Sequence, residues 1–205
     1  MRITQIVRTI IGEGLWVGQP CLLVRLSGCN LHCSWCDTPE VHRGGREIPF
    51  SELVERGIKT PEKWILLTGG EPLLQRSVGK LVKNWINGKK NVLIETNGTR
   101  PIAPVLMDGV SISMDIKTPS SGEVGKHYNP NLRLLRPVDA LKFVISDRKD
   151  FDWARDFILK NPTRANLFFQ PVWGRLSARR LAGWIIEHKL PVRLSVQIHK
   201  ILKLP

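Results

Sequence analysis

Seven short apolar runs recur along the chain: Cys21–Leu26, Trp64–Thr68, Val92–Thr96, Val110–Asp115, Ala140–Ile145, Asn166–Gln170 and Val192–Ile198. Most are unbroken and rich in β-branched residues, the pattern of strands buried on both faces of a parallel sheet. Between several of them the apolar residues switch to helical spacing, over Ser51–Ile58, Leu73–Ile86, Phe151–Lys160 and Ser177–His188. Leu81, Trp85 and Ile86 make one inward stripe; Leu181, Trp184, Ile185 and His188 make another. Ser51 and Ser177 are candidate N-caps, and Gly57 and Gly88 candidate stops. Strand–helix–strand alternation predicts an α/β fold with a parallel sheet. Four helices are too few for a full eightfold barrel of about 250 residues. The expected architecture is an open, shortened (β/α) partial barrel of about six parallel strands with few helices. No repeat, low-complexity tract or linker divides the chain, so one domain over residues 1–205 is expected.

The last run differs from the others. Arg193, Ser195, Gln197 and His199 alternate with Val192, Leu194, Val196 and Ile198, a strand with two unlike faces. It reads either as a solvent-facing edge strand or as one that turns Gln197 and His199 toward a pocket.

In parallel α/β folds, ligands gather at the C-terminal ends of the strands. Here those ends read Thr68-Gly-Gly-Glu-Pro72, Glu95-Thr-Asn-Gly98, Asp115-Ile-Lys-Thr118, Lys142 and Gln170-Pro-Val172. Any one of them could be an ordinary turn, but five polar or glycine-rich ends together have the layout of an active site. The stretch Thr118–Gly122 reads as a functional loop or a tight turn. Arg25 interrupts an apolar strand, and an isolated buried arginine is costly. It calls for an anionic ligand or a structural ion pair.

Length and composition limit the class. With 205 residues and 42% hydrophobic content the chain can bury a proper core. It has no run near the roughly 20 apolar residues of a membrane span and no signal-type N-terminus. Unpaired thiols fit a reducing, cytoplasmic setting. The formal charge of +13 attracts anions, whether nucleic acid, an acidic electron donor or a carboxylated substrate. The basic residues are scattered and not interleaved with aromatics, so no stable nucleic-acid partner is expected.

The candidate chemistry lies in Leu26-Ser-Gly-Cys-Asn-Leu-His-Cys-Ser-Trp-Cys-Asp-Thr38, which carries Cys29, Cys33 and Cys36. The remaining cysteine, Cys21, sits in an apolar run and is expected in the core. An iron–sulfur cubane usually takes four cysteines, so three thiolates leave one iron open to another ligand. A structural zinc site completed by His32 or Asp37 is a second reading. A disulfide is the third, disfavoured by close spacing on a tight loop.

The spacing Cys-x3-Cys-x2-Cys, followed by Thr68-Gly-Gly-Glu-Pro72, resembles the radical S-adenosylmethionine (SAM) enzymes. The resemblance implies a [4Fe-4S] cluster on the three cysteines, with SAM chelating the open iron and yielding a 5′-deoxyadenosyl radical. It narrows further. Ile11-Gly-Glu-Gly14, Val24–Cys29, Cys36-Asp-Thr38, Leu67–Gln75, Ile94–Gly98 and the tail Ser195–Lys200 are similar to the 7-carboxy-7-deazaguanine synthase family. That family converts 6-carboxy-5,6,7,8-tetrahydropterin to 7-carboxy-7-deazaguanine and ammonia, on the way to deazaguanine nucleosides of tRNA.

The resemblance also implies roles. Trp35, Cys36, Asp37, Gly70, Asp115, Ile116 and Lys117 meet SAM, with Gly70 allowing close approach because it lacks a side chain. Thr38 offers a hydroxyl to Mg2+, a hard cation that keeps several waters. Ile10, Ile11 and Gly12 lend main-chain groups to the pterin, and Glu13 pairs with its guanidine-like edge. Arg25, Thr68, His199 and Pro205 complete the substrate contacts, the last through a terminal carboxylate. Two departures stand out: Ile11 replaces a polar residue, and Asp115-Ile-Lys117 replaces Ser-Pro-Lys. The implied partners are a flavodoxin- or ferredoxin-type electron donor and, by default, a second copy in a homodimer. Two other functions compete: a different radical SAM enzyme, such as a glycyl-radical activating protein, and a basic RNA-binding module with a metal knuckle.

Overall fold

The computed structural model describes residues 1–205. The elements run β1 (Arg2–Ile10), β2 (Pro20–Leu26), β3 (Arg46–Glu47), α1 (Phe50–Lys59), β4 (Trp64–Gly69), α2 (Val78–Asn87) and β5 (Asn91–Thr96). They continue β6 (Val110–Ile116), α3 (Pro130–Leu134), β7 (Ala140–Ile145), α4 (Arg148–Lys160), β8 (Asn166–Pro171), α5 (Ala178–Glu187), β9 (Arg193–Leu194) and α6 (Ile198–Ile201). All the strands belong to one sheet of order β3-β1-β2-β4-β5-β6-β7-β8-β9. From β2 onward every neighbouring pair is parallel, while β1 runs antiparallel to β2 and β3 antiparallel to β1. The expected open partial barrel of six full-length parallel strands is therefore present.

The central parallel strands bury side chains on both faces. On β2, Leu22, Val24 and Leu26 join the main core, a cluster of 32 buried residues that also takes in Leu81 and Trp85 of α2 and Phe151 of α4. The alternate residues Cys21 and Leu23 face the other side, where they pack with Ile11, Trp64, Leu66 and Leu93. Two residues further along, the same face becomes polar. Parallel register then sets the polar ends side by side, with Arg25 opposite Thr68 and Asp115 opposite Lys142. An apolar floor thus ends in a polar rim, and the site grows out of the sheet itself. Cys21 is fully buried there, and desolvation with nearby Glu95 and Glu62 pushes its thiol up to about 12.

Several boundaries differ from expectation. β1 was not anticipated, because its string Arg-Ile-Thr-Gln-Ile-Val-Arg-Thr-Ile has a half-exposed pattern rather than a buried run. α1 starts at an N-cap Pro49, leaving Ser51 inside its first turn. Gly57 does not stop α1; it lies buried within it, where an added Cβ would sit 2.1 Å from Trp85 Nε1. The helix expected from Leu73 begins only at Val78, since Pro72–Leu74 form a separate short turn capped by the Glu71 carboxylate. α4 begins before Phe151, with Asp147 accepting from Asp150 N–H. Gly88 and Ser177 cap as expected. The strand expected over Val192–Ile198 pairs only at Arg193 and Leu194 before the chain turns into α6. No helix is long and apolar enough to cross a membrane.

Candidate active site

A cavity of about 690 Å³ opens at the C-terminal ends of the parallel strands. The cysteine loop forms one wall, following directly from β2. Gly28 N–H donates to Val41 O at 2.9 Å, and Glu71 N–H donates to Gly28 O at 2.9 Å. On its other side the loop is held by residues 120–123. His32 N–H donates to Glu123 at 2.6 Å, Ser34 N–H to Ser121 O at 3.0 Å, and Trp35 Nε1 to Ser120 Oγ at 3.1 Å. The Thr118–Gly122 stretch is thus the support of the cysteine loop.

Cys29, Cys33 and Cys36 are free and half-buried, and all three line the cavity. Three free thiols on one cavity wall match a cubane held by three protein ligands, each binding a different iron and leaving the fourth iron open. Burial pushes the Cys29 and Cys33 thiols up, with the Lys117 ammonium pulling the other way. Lys117 Nζ also lies 5.3 Å above the Trp35 ring.

The glycine pair closes against this loop. A Cβ on Gly70 would fall 2.3 Å from Gly28 O and 2.6 Å from Cys29 Cβ. Gly69 holds φ +155°, which other residues rarely adopt.

The rim opposite the thiols is charged. Lys142, buried on β7, pairs with Glu13 and lies 3.2 Å from Asp115 Oδ1, whose other oxygen meets Lys117 Nζ at 3.2 Å. Burial works against the ammonium of Lys142, but Asp115, Glu13 and Glu95 outweigh it and raise its pKa well above the usual lysine value. Asp115 is likewise desolvated, yet Lys142 and Lys117 hold it below the carboxylate range. Glu95 behaves oppositely: burial and the nearby Glu13 carboxylate push it up to about 7 despite Lys142.

Three buried acceptors on this rim, Glu13 Oε2, Gln170 Oε1 and Asp115 Oδ1, have no hydrogen-bond partner, although Asp115 Oδ1 keeps the charge of Lys142 at 3.2 Å. An unmatched buried acceptor costs about 1–3 kcal/mol, so these atoms call for donors from a ligand. Arg25 donates to Gln5 Oε1 at 3.3 Å and forms no ion pair with any carboxylate of the chain. Of its two readings, the structural ion pair is not present.

Most of the sequence-predicted residues meet here. Ile10, Gly12, Glu13, Arg25, Thr68, His199 and Pro205 line the cavity with Trp35, Asp37, Thr38, Gly70, Asp115 and Lys117. Thr38 caps its short turn without using its hydroxyl. Asp37 is gripped by Lys200 Nζ at 2.8 Å and Gln197 Nε2 at 3.4 Å, which overcome its desolvation and lower its pKa. His199 packs against Gly12, where any Cβ would strike its ring, and burial lowers its pKa against the pull of Glu13. Pro205 O accepts from Thr9 Oγ1 at 3.2 Å.

Two residues do not line the cavity. Ile11 is fully buried in the floor, and its N–H and C=O are both taken, by Gln19 O and Gly18 N–H at 2.8 Å each. Both groups are engaged within the floor, away from the cavity lining. Ile116 has the opposite parity to Asp115 and Lys117 and points into the main core. Conversely, Glu95, Lys142 and Gln170 belong to the rim although no role was assigned to them. Their signal was two-residue spacing from the inward-facing Leu93, Ala140 and Phe168.

An open parallel sheet with three half-buried thiols at its mouth defines a class. The profile of the radical SAM superfamily matches residues 23–145, from β2 to the end of β7, so the chain is a radical SAM protein. The "7-carboxy-7-deazaguanine synthase" of Thermoplasma acidophilum is 45% identical over 98% of this chain and 97% of its own length. That of Methanospirillum hungatei is 41% identical over the whole chain and 86% of its own length. The chain belongs to the 7-carboxy-7-deazaguanine synthase family. The crystal structure of QueE from Escherichia coli has the same fold, with a TM-score of 0.74 at 19% identity, covering 96% of this chain and 93% of QueE.

Proposed function

We propose that the chain is a radical SAM lyase converting 6-carboxy-5,6,7,8-tetrahydropterin to 7-carboxy-7-deazaguanine and ammonia, a step toward deazapurine tRNA nucleosides. The observation that carries this reading is one cavity pairing three unpaired thiols with an unmatched Glu13 acceptor and an ion-pair-free Arg25. Contraction of the pterin ring with loss of ammonia is redox-neutral, so the protein's task is to bind, orient and exclude water.

Cys29, Cys33 and Cys36 hold the [4Fe-4S] cluster. With SAM bound beside it, that cluster supplies the electron for a 5′-deoxyadenosyl radical, the hydrogen-abstracting agent. Gly70 leaves room for the SAM amino group, while Trp35, Asp37, Asp115 and Lys117 surround the rest of the cofactor. Glu13 Oε2 and Gln170 Oε1 offer acceptors, and Glu13 takes the guanidine-like edge of the pterin, beside the main chain of Ile10 and Gly12. A polar site rejects analogues that leave its acceptors unmatched. Arg25 faces the substrate carboxylate, with Thr68, His199 and Pro205 at its borders. Thr38 supplies one oxygen to Mg2+, which draws its remaining ligands from water and substrate. A flavodoxin- or ferredoxin-type donor, a homodimeric assembly and a cytoplasmic location complete the proposal, with residues 1–205 acting as one radical SAM domain.

The test is anaerobic turnover of the iron-reconstituted protein with SAM, reductant, Mg2+ and the pterin, read by mass spectrometry. 7-Carboxy-7-deazaguanine formed only when SAM and reductant are both present is the expected result; because the conversion is redox-neutral, 5′-deoxyadenosine need not accumulate with it. Deoxyadenosine without that product moves the substrate elsewhere, and a fully loaded cluster giving neither refutes the enzyme reading.

A further inference from the structure

Asn97 follows β5 and is buried, with only 7% of its surface exposed. Both ends of its amide are committed. Its Oδ1 accepts from Thr99 N–H at 3.0 Å and Thr99 Oγ1 at 2.7 Å. A flipped amide would set its NH2 against the Thr99 N–H, which can only donate, so the orientation is fixed. Nδ2 is therefore directed at the cysteine loop, 3.2 Å from Asn30 Oδ1 and 3.8 Å from Cys29 Sγ.

The backbone is held as firmly as the side chain. Asn97 N–H donates to Glu71 Oε2 at 2.7 Å, and Thr96 Oγ1 donates to both oxygens of the same carboxylate at 2.9 Å. Glu71 is itself tied to the cysteine loop by its N–H to Gly28 O. The strand end, glycine pair and cysteine loop thus form one rigid frame that places a neutral N–H donor at a cluster ligand.

Building on the proposed cluster site, we infer that Asn97 is a positioning residue that tunes the cluster. Its Nδ2–H bonds the Cys29 sulfur and raises the reduction potential. Hydrogen bonds to cluster sulfurs are among the determinants of that potential. Reduction adds negative charge, and a donor bonds the more negative acceptor more strongly, so the bond favours the reduced state. A residue that only stapled the loop through Asn30 would leave the potential of a fully loaded cluster unmoved.

The experiment uses the reconstituted holoprotein without turnover. In wild type whose asparagine side-chain amides carry 15N, pulsed EPR of the reduced cluster is expected to show a coupled 15N nucleus. In Asn97→Ala that coupling disappears. An EPR-monitored redox titration of the variant then shows reduction about tenfold less favourable, about 59 mV more negative for one electron. Absence of coupled 15N in wild type overturns the inference. So does an unchanged potential in a fully loaded variant. If the variant fails to hold a cluster, the coupling is read in Asn30→Ala, where its persistence assigns it to Asn97 and its loss overturns the inference. Failure of wild type itself to assemble any paramagnetic cluster refutes the cluster reading instead, and the two failures are distinct.

Discussion

Lys142→Met tests whether the charged rim is held together by one buried ammonium. The Lys142 side chain is 6% exposed, pairs with Glu13 and lies 3.2 Å from Asp115, with Glu95 also pulling on it. Methionine retains the length and apolar stem of the side chain, so the packing loss is small. The electrostatic loss is not. Removing one partner of a buried pair costs about 3–5 kcal/mol, and here several carboxylates lose it together, with Lys117 remaining only for Asp115. A loss of about 4 kcal/mol is expected at pH 8.

The pH dependence gives the sharper criterion. In wild type, the depressed Asp115 stabilises the fold above its unfolded value and loses that contribution as pH falls through its folded one. The raised Lys142 contributes fully below its unfolded value and loses that contribution only as pH climbs through its folded one. Without Lys142 the rim carboxylates prefer to be protonated in the fold, so the variant loses stability as pH rises above the carboxylate range. The deficit is therefore small at pH 5 and largest at pH 8. Urea unfolding of the metal-free chain at both pH values, with the m-value checked for constancy, measures it. A deficit below about 1 kcal/mol at pH 8, or an equal deficit at both pH values, refutes the pairing argument.

Three further outcomes follow from the same geometry. Glu95, pushed up to about 7 from its ordinary value of 4.5, keeps its proton in the fold after the unfolded chain has released it. Wild type therefore loses stability as pH rises between those values, by roughly 3 kcal/mol at most; Glu95→Gln removes that slope, and urea midpoints that track wild type across the window contradict the assignment. Gly70→Ala drives a methyl into Gly28 O and Cys29 Cβ, so iron and sulfide per chain after reconstitution should fall below half the wild-type level while far-UV circular dichroism stays native. Gly57→Ala adds helix propensity worth about 1 kcal/mol but strikes the Trp85 indole, which donates to Leu53 O at 3.3 Å. Overpacking of about 1–3 kcal/mol wins, so the melting temperature drops; a rise would mean that the indole moves aside freely.

The parallel strands were legible because each is a short buried run, and the thiols because their spacing is compact. What the runs concealed was parity. Val92–Thr96 reads as uniformly apolar until its penultimate residue, yet Leu93 and Glu95 share one face and Val92 and Ile94 the other. The same parity puts Asp115 and Lys117 in the cavity and removes Ile116 from it. Gly57 misled because a glycine at the end of a helical pattern usually signals termination, whereas here it is a contact surface for Trp85. Ser51 misled because a nearby proline set the helix start instead.

The tail shows why local pattern has a limit. Its alternation is that of a strand, but the sheet has already reached its edge, and β9 pairs only with Phe168 and Phe169. Ser195 N–H keeps one last bond to Phe169 O at 2.9 Å, and beyond it the tail takes its partners from across the mouth. Ser195 Oγ accepts from Gly14 N–H at 3.4 Å, and Ile198 N–H donates to Gly12 O at 2.9 Å. Gln197 and Lys200 hold Asp37, and Thr9 donates to Pro205 O. These contacts join the end of the chain to β1 and the cysteine loop, closing by main-chain and side-chain bonds a ring that the strands leave open. Every one of them spans well over a hundred residues, so no window of sequence contains both partners. The turn into α6 is the local cost of that closure, and it puts His199 over Gly12, where only a residue without a side chain leaves the ring space.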